Sequence, residues 1–198
     1  MADQTPYAQL TGTWQFWVAA AGTTMTALDA SPSGSWTAIG KTDGDQSYSW
    51  VGALTAFRDN HATGPRKHVR PEEGFTVAMT LVDLTLESLA TMLSMASSAV
   101  AGGTSGALTT KSLPLRRGFV PNRFALLARG GALVANNTMS PYGAWPGQIY
   151  IPQGVFSSEP GMTFSKGGRP GVASVFVAEY DDTQSAGYEF GRLIVQSA

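Results

Sequence analysis

Cysteine is absent from this 198-residue chain, which excludes disulfides and thiolate metal sites. Charge is scarce as well: Asp, Glu, Lys and Arg make up 14% of the residues, against about 25% in ordinary soluble domains. The net charge of -1 provides no cationic field to displace counterions from a phosphate backbone, so the chain is not expected to grip nucleic acid. Charged side chains are depleted from interface cores, so a surface short of charge points to one that neighbours cover. Histidine occurs only twice. No apolar run approaches the ~20 residues of a spanning helix, and Met1–Pro6 has neither the basic nor the apolar stretch of a secretory signal. These absences lead to the expectation of a soluble protein made in the cytoplasm, with no membrane association.

What is present is enough apolar material for a core: 43% of the residues are hydrophobic, and a domain of this size hides roughly 70% of its unfolded surface. The expectation is a single domain over 1–198, with a possible N-terminal arm at 1–12 and long loops at 55–71 and 130–148. Strand-like stretches alternate with Gly, Pro, Ser and Asn punctuation. That pattern predicts a mainly β fold, a two-sheet β-sandwich with one flanking α-helix at about 85–96. Phe75, Val77, Met79 and Leu81 alternate with smaller residues and mark a strand with one core face. The stretch from Ser47 repeats the alternation and predicts Tyr48, Trp50 and Leu54 inward. Trp14, Phe16 and Val18 share one face while Trp17 occupies the other, and 172–180 is also apolar on both faces. Strands covered on both sides read this way, which calls for a second layer from a helix or another subunit. Further strands are expected at 36–39, 123–129, 149–156 and 190–196.

In the helix, Leu86, Leu89 and Leu93 form an apolar stripe and are the expected core face. Asp83 or Thr85 can cap it, and Glu87 suits the positive end of its dipole. The opposite face, Thr91, Ser94 and Ser98, is small and uncharged, suited to water or to a neighbouring subunit. Ser97–Gly106 reads as a mobile Gly-rich loop.

Candidate chemistry is sparse. His61 and His68 lie near Asp59, but in the most polar segment of the chain and without the spacing of a helical ligand pair, so they read as a solvated or interface loop. G-x-S-x-G, the P-loop and H-E-x-x-H are missing, and in Gly102–Gly106 the serine is misplaced for a nucleophile elbow. Asn136-Asn137-Thr138 matches a glycosylation sequon by chance. Glu72-Glu73 and Asp181-Asp182 are neighbours on extended chain, point opposite ways and read as solvated charge. Of the five tryptophans, Trp14, Trp36 and Trp50 fall in strand patterns and read as core, and Trp145 is the one free to meet a ligand or subunit. No catalytic residue, cofactor or metal ligand is expected.

Trp36–Asp45, followed by a polar-aromatic strand, resembles the opening block of siphophage major tail tube proteins. Arg70–Phe75 running through to Leu84–Leu89 resembles that family's strand leading into its single helix. Ile149–Val155, Phe164–Lys166, Ser174–Asp182 and Gly191–Leu193 are similar to its ending. The blocks cover most of 36–196, and the likeness thins at 1–30 and 130–148. The resemblance implies a virion structural protein: hexameric rings stacked into a tail tube through which DNA is ejected. It implies tape-measure, tail terminator and distal tail proteins as partners, with DNA only as transient lumen cargo. A conduit should not hold its cargo, so the lumen should be neutral or acidic, with Asp43 and Asp45 as candidates. The charged loop, with Arg58, Asp59, His61, Arg66, Lys67 and Arg70, is assigned to ring stacking, since complementary charge fixes register. The alternatives are a tube protein of a bacterial contractile secretion system and, from another class, a carbohydrate-binding β-sandwich module.

Overall fold

The computed structural model describes residues 9–28, 30–57, 67–82, 85–115, 120–133, 147–157, 162–163 and 171–195. It is mainly β and antiparallel, with one α-helix. In chain order the elements are β1 (Gln9–Ala20), β2 (Thr37–Ala38), β3 (Ser47–Val51), β4 (Thr55–Phe57), β5 (Lys67–Val69), β6 (Gly74–Leu81) and α1 (Leu86–Met92). There follow β7 (Ala101–Ser105), β8 (Leu108–Ser112), β9 (Phe124–Leu133), β10 (Gly147–Phe156), β11 (Met162–Thr163), β12 (Gly171–Ala178) and β13 (Arg192–Val195).

Nine strands form one hydrogen-bonded sheet in the order β2-β1-β9-β10-β12-β6-β3, with β11 on β12 and β13 on β10. The sheet folds over and meets itself. Beyond β2 the chain stays on β1 at Ile39, whose N–H donates to Phe16 O, and then crosses to β6. There Val82 N–H donates to Lys41 O at 2.9 Å and Asp43 N–H to Thr80 O at 3.0 Å. The two layers of the sandwich are thus joined along this seam, and closure of this kind leaves few free edges.

The expected alternation holds in β6, where Phe75, Val77, Met79 and Leu81 are all buried. They meet Trp14, Phe16 and Val18 of β1, Leu126 and Ala128 of β9, and Val172 and Phe176 of β12 in one core. Gly130 of β9 is where Trp14 needs room: a Cβ there would lie 2.4 Å from the indole ring.

The other face of β1, β9 and β10 is covered not by a helix but by the chain's own segment after β1. Ala19, Ala125, Leu127 and Tyr150 pack there with Trp36. Polar anchors fix this cover. Arg129, fully buried, donates to Thr26 O at 3.2 Å, to Ala27 O at 2.7 Å and to Gln148 Oε1 at 3.0 Å. Gln148 donates to Thr26 O, Tyr150 Oη to Thr23 O and Trp36 Nε1 to Thr24 O. A buried guanidinium satisfies several carbonyls that the irregular segment leaves without strand partners.

The helix is shorter than the expected 85–96. Thr85 caps it, its Oγ1 accepting from Ser88 N–H at 3.1 Å, while Asp83 lies outside the described residues. At the other end Ser94 turns left-handed, φ 54°. Its N–H donates to Thr91 O and that of Met95 to Ala90 O, both at 2.8 Å, the paired closure of a Schellman ending. Its face also differs from the expected one. Leu86, Leu89 and Leu93 are half-buried, whereas Ala90, Thr91, Met92, Ser94 and Met95 are buried. Small residues let the helix approach the sheet closely, and their hydroxyls are satisfied inside: Thr91 donates to Glu87 O and Ser94 to Phe156 O. Thr91 and Ser94 are therefore not a subunit-contact face. Ser98 alone of the three is exposed.

Candidate interaction surfaces

The strand directions define two ends of the domain. β6 and β10 run from Gly74 and Gly147 toward α1, and β3 and β12 run the other way. At the start of β6 an open groove of about 560 Å³ lies between β3, β6, β10 and β13. Trp50 forms one wall, its ring 5.0 Å from that of Phe75. Tyr180 and Arg192 also line the groove, Tyr180 edge-on to Phe190 at 5.8 Å. The Arg192 guanidinium sits 5.6 Å from the ring centre of Tyr188 and 6.0 Å from that of Tyr150. Burial pushes the Tyr150 hydroxyl up, with Asp181 adding to the shift and Arg192 opposing it.

Trp50 and Leu54 are exposed rather than inward. Period two assigns Trp50 to the same face as Tyr48, and Tyr48 does reach the core. Two residues further on, Trp50 stands opposite Phe75, the last core residue at this end of β6, and on the outermost strand of the sheet order, where the groove leaves its ring exposed. Alternation gives the face of a residue but not its depth. Asp181 is also not solvated: its carboxylate accepts from the Thr183 hydroxyl at 2.7 Å, the Thr183 N–H at 3.1 Å and Gln184 Nε2 at 3.1 Å. The Thr183 hydroxyl contributes most to holding it below the usual carboxylate range. It pins the turn that leads from β12 back toward the groove.

From this same end projects the hairpin β4–β5, with Phe57 opposite Lys67. Lys67 and Arg70 of the charged segment are exposed, and Arg70 pairs with Glu73 at 3.0 Å. Arg58, Asp59, His61 and Arg66 lie outside the described residues, as do Trp145 and Asn136-Asn137.

At the α1 end, the stretch expected as a mobile loop is instead a second hairpin, β7–β8, running from Ala101 opposite Ser112 to Ser105 opposite Leu108. Gly106, φ 63°, makes its tight turn, a conformation glycine adopts without steric cost. The strands are exposed almost throughout. Lys111 is hydrogen-bonded to Glu87 of α1, which is the main cause of that carboxyl's lowered pKa. Asp43 and Asp45 are exposed at this end, beside Thr80.

Among the described residues no three His, Asp or Glu side chains gather as a metal site, and no helix is long and apolar enough to cross a membrane. The groove escaped sequence reading because its walls come from five separated stretches, and only the lone Trp50 carried a signal. No family model and no curated protein matches the chain.

Proposed function

We propose that this chain is a structural, self-assembling protein of the tail-tube type, which acts by stacking hexameric rings of itself into a conduit for DNA rather than by catalysis. The observation that carries the reading is the surface. The core is complete within one protomer, yet Trp50, Val51, Leu54, Phe57, Leu108 and Tyr180 are all more than half exposed. Large apolar side chains collected at the two ends of a sparsely charged domain are what an interface between copies requires. A sheet closed along its seam is also a stable wall element for a tube. In this reading the tape-measure, terminator and distal tail proteins are the partners, Asp43 and Asp45 face the lumen, and the charged segment 58–70 contacts the next ring. The location is the virion.

Electron microscopy of the concentrated, purified protein tests this. Rings or tubes of uniform width are expected, and a dispersed particle of single-protomer size at every concentration would refute it. A ring-forming tube protein of a contractile secretion system shares the architecture. A carbohydrate-binding module is the reading from a different class that a specific observation favours: the exposed aromatic residues Trp50 and Tyr180 line one groove, as sugar stacking requires. It predicts a monomer whose tryptophan fluorescence shifts with oligosaccharide.

A further inference from the structure

We infer that the aromatic groove is the socket for the β7–β8 hairpin of a second copy of this chain, joined head to tail; this rests on the self-assembly reading above and names the surfaces that carry it. The groove end and the hairpin end are opposite poles of one protomer. Phe75 and Ile149 line the groove, while β6 and β10 end at Leu81 and Phe156, beside α1. At about 3.3 Å per residue these strands separate the poles by roughly 20 Å. A hairpin that leaves from the α1 end therefore has the groove of another molecule, not its own, within reach.

Each surface lacks what the other supplies. An isolated two-stranded hairpin is marginal in water, and β7–β8 has two glycines in one strand and Leu108 70% exposed just past its turn. No charged residue occurs from Ala101 to Thr110. The groove offers apolar rings, and its charged side chains have partners within the protomer: Arg70 pairs with Glu73, Arg192 lies over two tyrosines and Glu189 accepts from Gly187 N–H at 2.7 Å. An uncharged tip brings no further charge into the groove.

The area also suffices. Trp50 and Tyr180 are 77% and 60% exposed, and Val51 and Leu193 are 58% and 48% exposed. With aromatic side chains burying roughly 150–250 Å² each, the four offer on the order of 500 Å². Leu54, just before the adjoining hairpin, and Phe57 on it raise this toward the ~800 Å² per partner of a standard interface. Two different surfaces meeting make a heterologous contact, which propagates into a closed ring or an open stack rather than stopping at a symmetric dimer.

The test uses two exposed substitutions, Leu108→Glu on the hairpin and Trp50→Glu in the groove, with circular dichroism and thermal midpoints to show that both fold as the parent does. Trp50→Ser replaces the latter should the glutamate unfold it. Each variant alone is expected to self-associate about 30-fold or more weakly, the loss of a central anchor. Mixed in equal amounts, they should form a discrete heterodimer and nothing larger, because only one intact hairpin and one intact groove remain between them. If the parent protein assembles and both variants assemble equally well, the socket is wrong while the self-assembly reading stands. If the mixture yields no heterodimer, the socket is likewise wrong. If the parent never associates and maltotriose or chitotriose shifts its tryptophan fluorescence, both readings fail and the groove belongs to a sugar.

Discussion

Tyr48 sits where packing and hydrogen bonding conflict. Its ring is in contact with the core and tilted against Trp14 at 5.4 Å, yet its buried hydroxyl has no hydrogen-bond partner among the described residues, and burial pushes its pKa up. A buried, unsatisfied hydroxyl costs about 1–3 kcal/mol. Tyr48→Phe is therefore expected to raise the urea midpoint without changing the slope of the transition, and a lowered midpoint would contradict this. Ser94 is the opposite case. Its left-handed backbone is held because its hydroxyl both accepts from Phe156 N–H and donates to Phe156 O, each at 3.0 Å. Ser94→Ala should cost about 1–3 kcal/mol by leaving both groups of Phe156 unpaired. Gly130→Ala would drive a methyl into the Trp14 ring, and overpacking of that kind costs about 1–3 kcal/mol. Asp181 carries a pH signature. Its folded pKa lies below the unfolded value, so its stabilisation is fully present above the ordinary carboxylate range and is lost as pH falls through the lowered folded value. The stability gap between parent and Asp181→Asn should be large at about pH 7 and vanish near about pH 2, as chemical denaturation at the two pH values would show.

At the scale of elements, the cover segment after β1 is the least conventional part of the fold, since backbone carbonyls bound to Arg129, Gln148 and Tyr150 do the work of a third layer. Arg129→Leu removes the donor to Thr26, Ala27 and Gln148 together and is expected to cost about 3 kcal/mol or more. Hydrogen exchange should show the segment opening before the sheet does, and uniform protection would count against its separate anchoring. These elements also mark the limit of sequence reading. β6 was legible because its alternation coincides with burial, whereas β12, read as apolar on both faces, is fully buried on only one. The helix was legible as a helix, but its core face was misread because the leucine stripe outweighed Ala90 and Met92 in the pattern, although small residues are what close packing on a sheet selects. Nothing in the pattern around Arg129 distinguishes an inward arginine from an exposed one. The second hairpin was hidden because glycine and serine are loop formers by propensity, and pairing with β8 overrode that preference. Of the candidate site residues, Lys67, Arg70, Asp43 and Asp45 are exposed, while Thr91 and Ser94 are internal.

Taken whole, the molecule has a finished interior and an unfinished exterior. Its poles differ: one carries the aromatic groove and the charge-bearing hairpin β4–β5, the other the hairpin β7–β8 with its uncharged tip and the two aspartates of the seam. A body polarised in this way, with 14% charged residues, is suited to repeating head to tail. Arg66→Glu with Lys67→Glu should leave a protomer with unchanged circular dichroism that no longer builds tubes, because register between layers depends on complementary charge. Normal tubes from that double variant would remove the charged segment from the contact. The most direct measurement is the mass of the purified protein in solution across a wide concentration series, by sedimentation velocity. The account predicts growth from the 20.8 kDa chain to closed rings and stacked assemblies as concentration rises. A single sharp species at the mass of one chain throughout would contradict it.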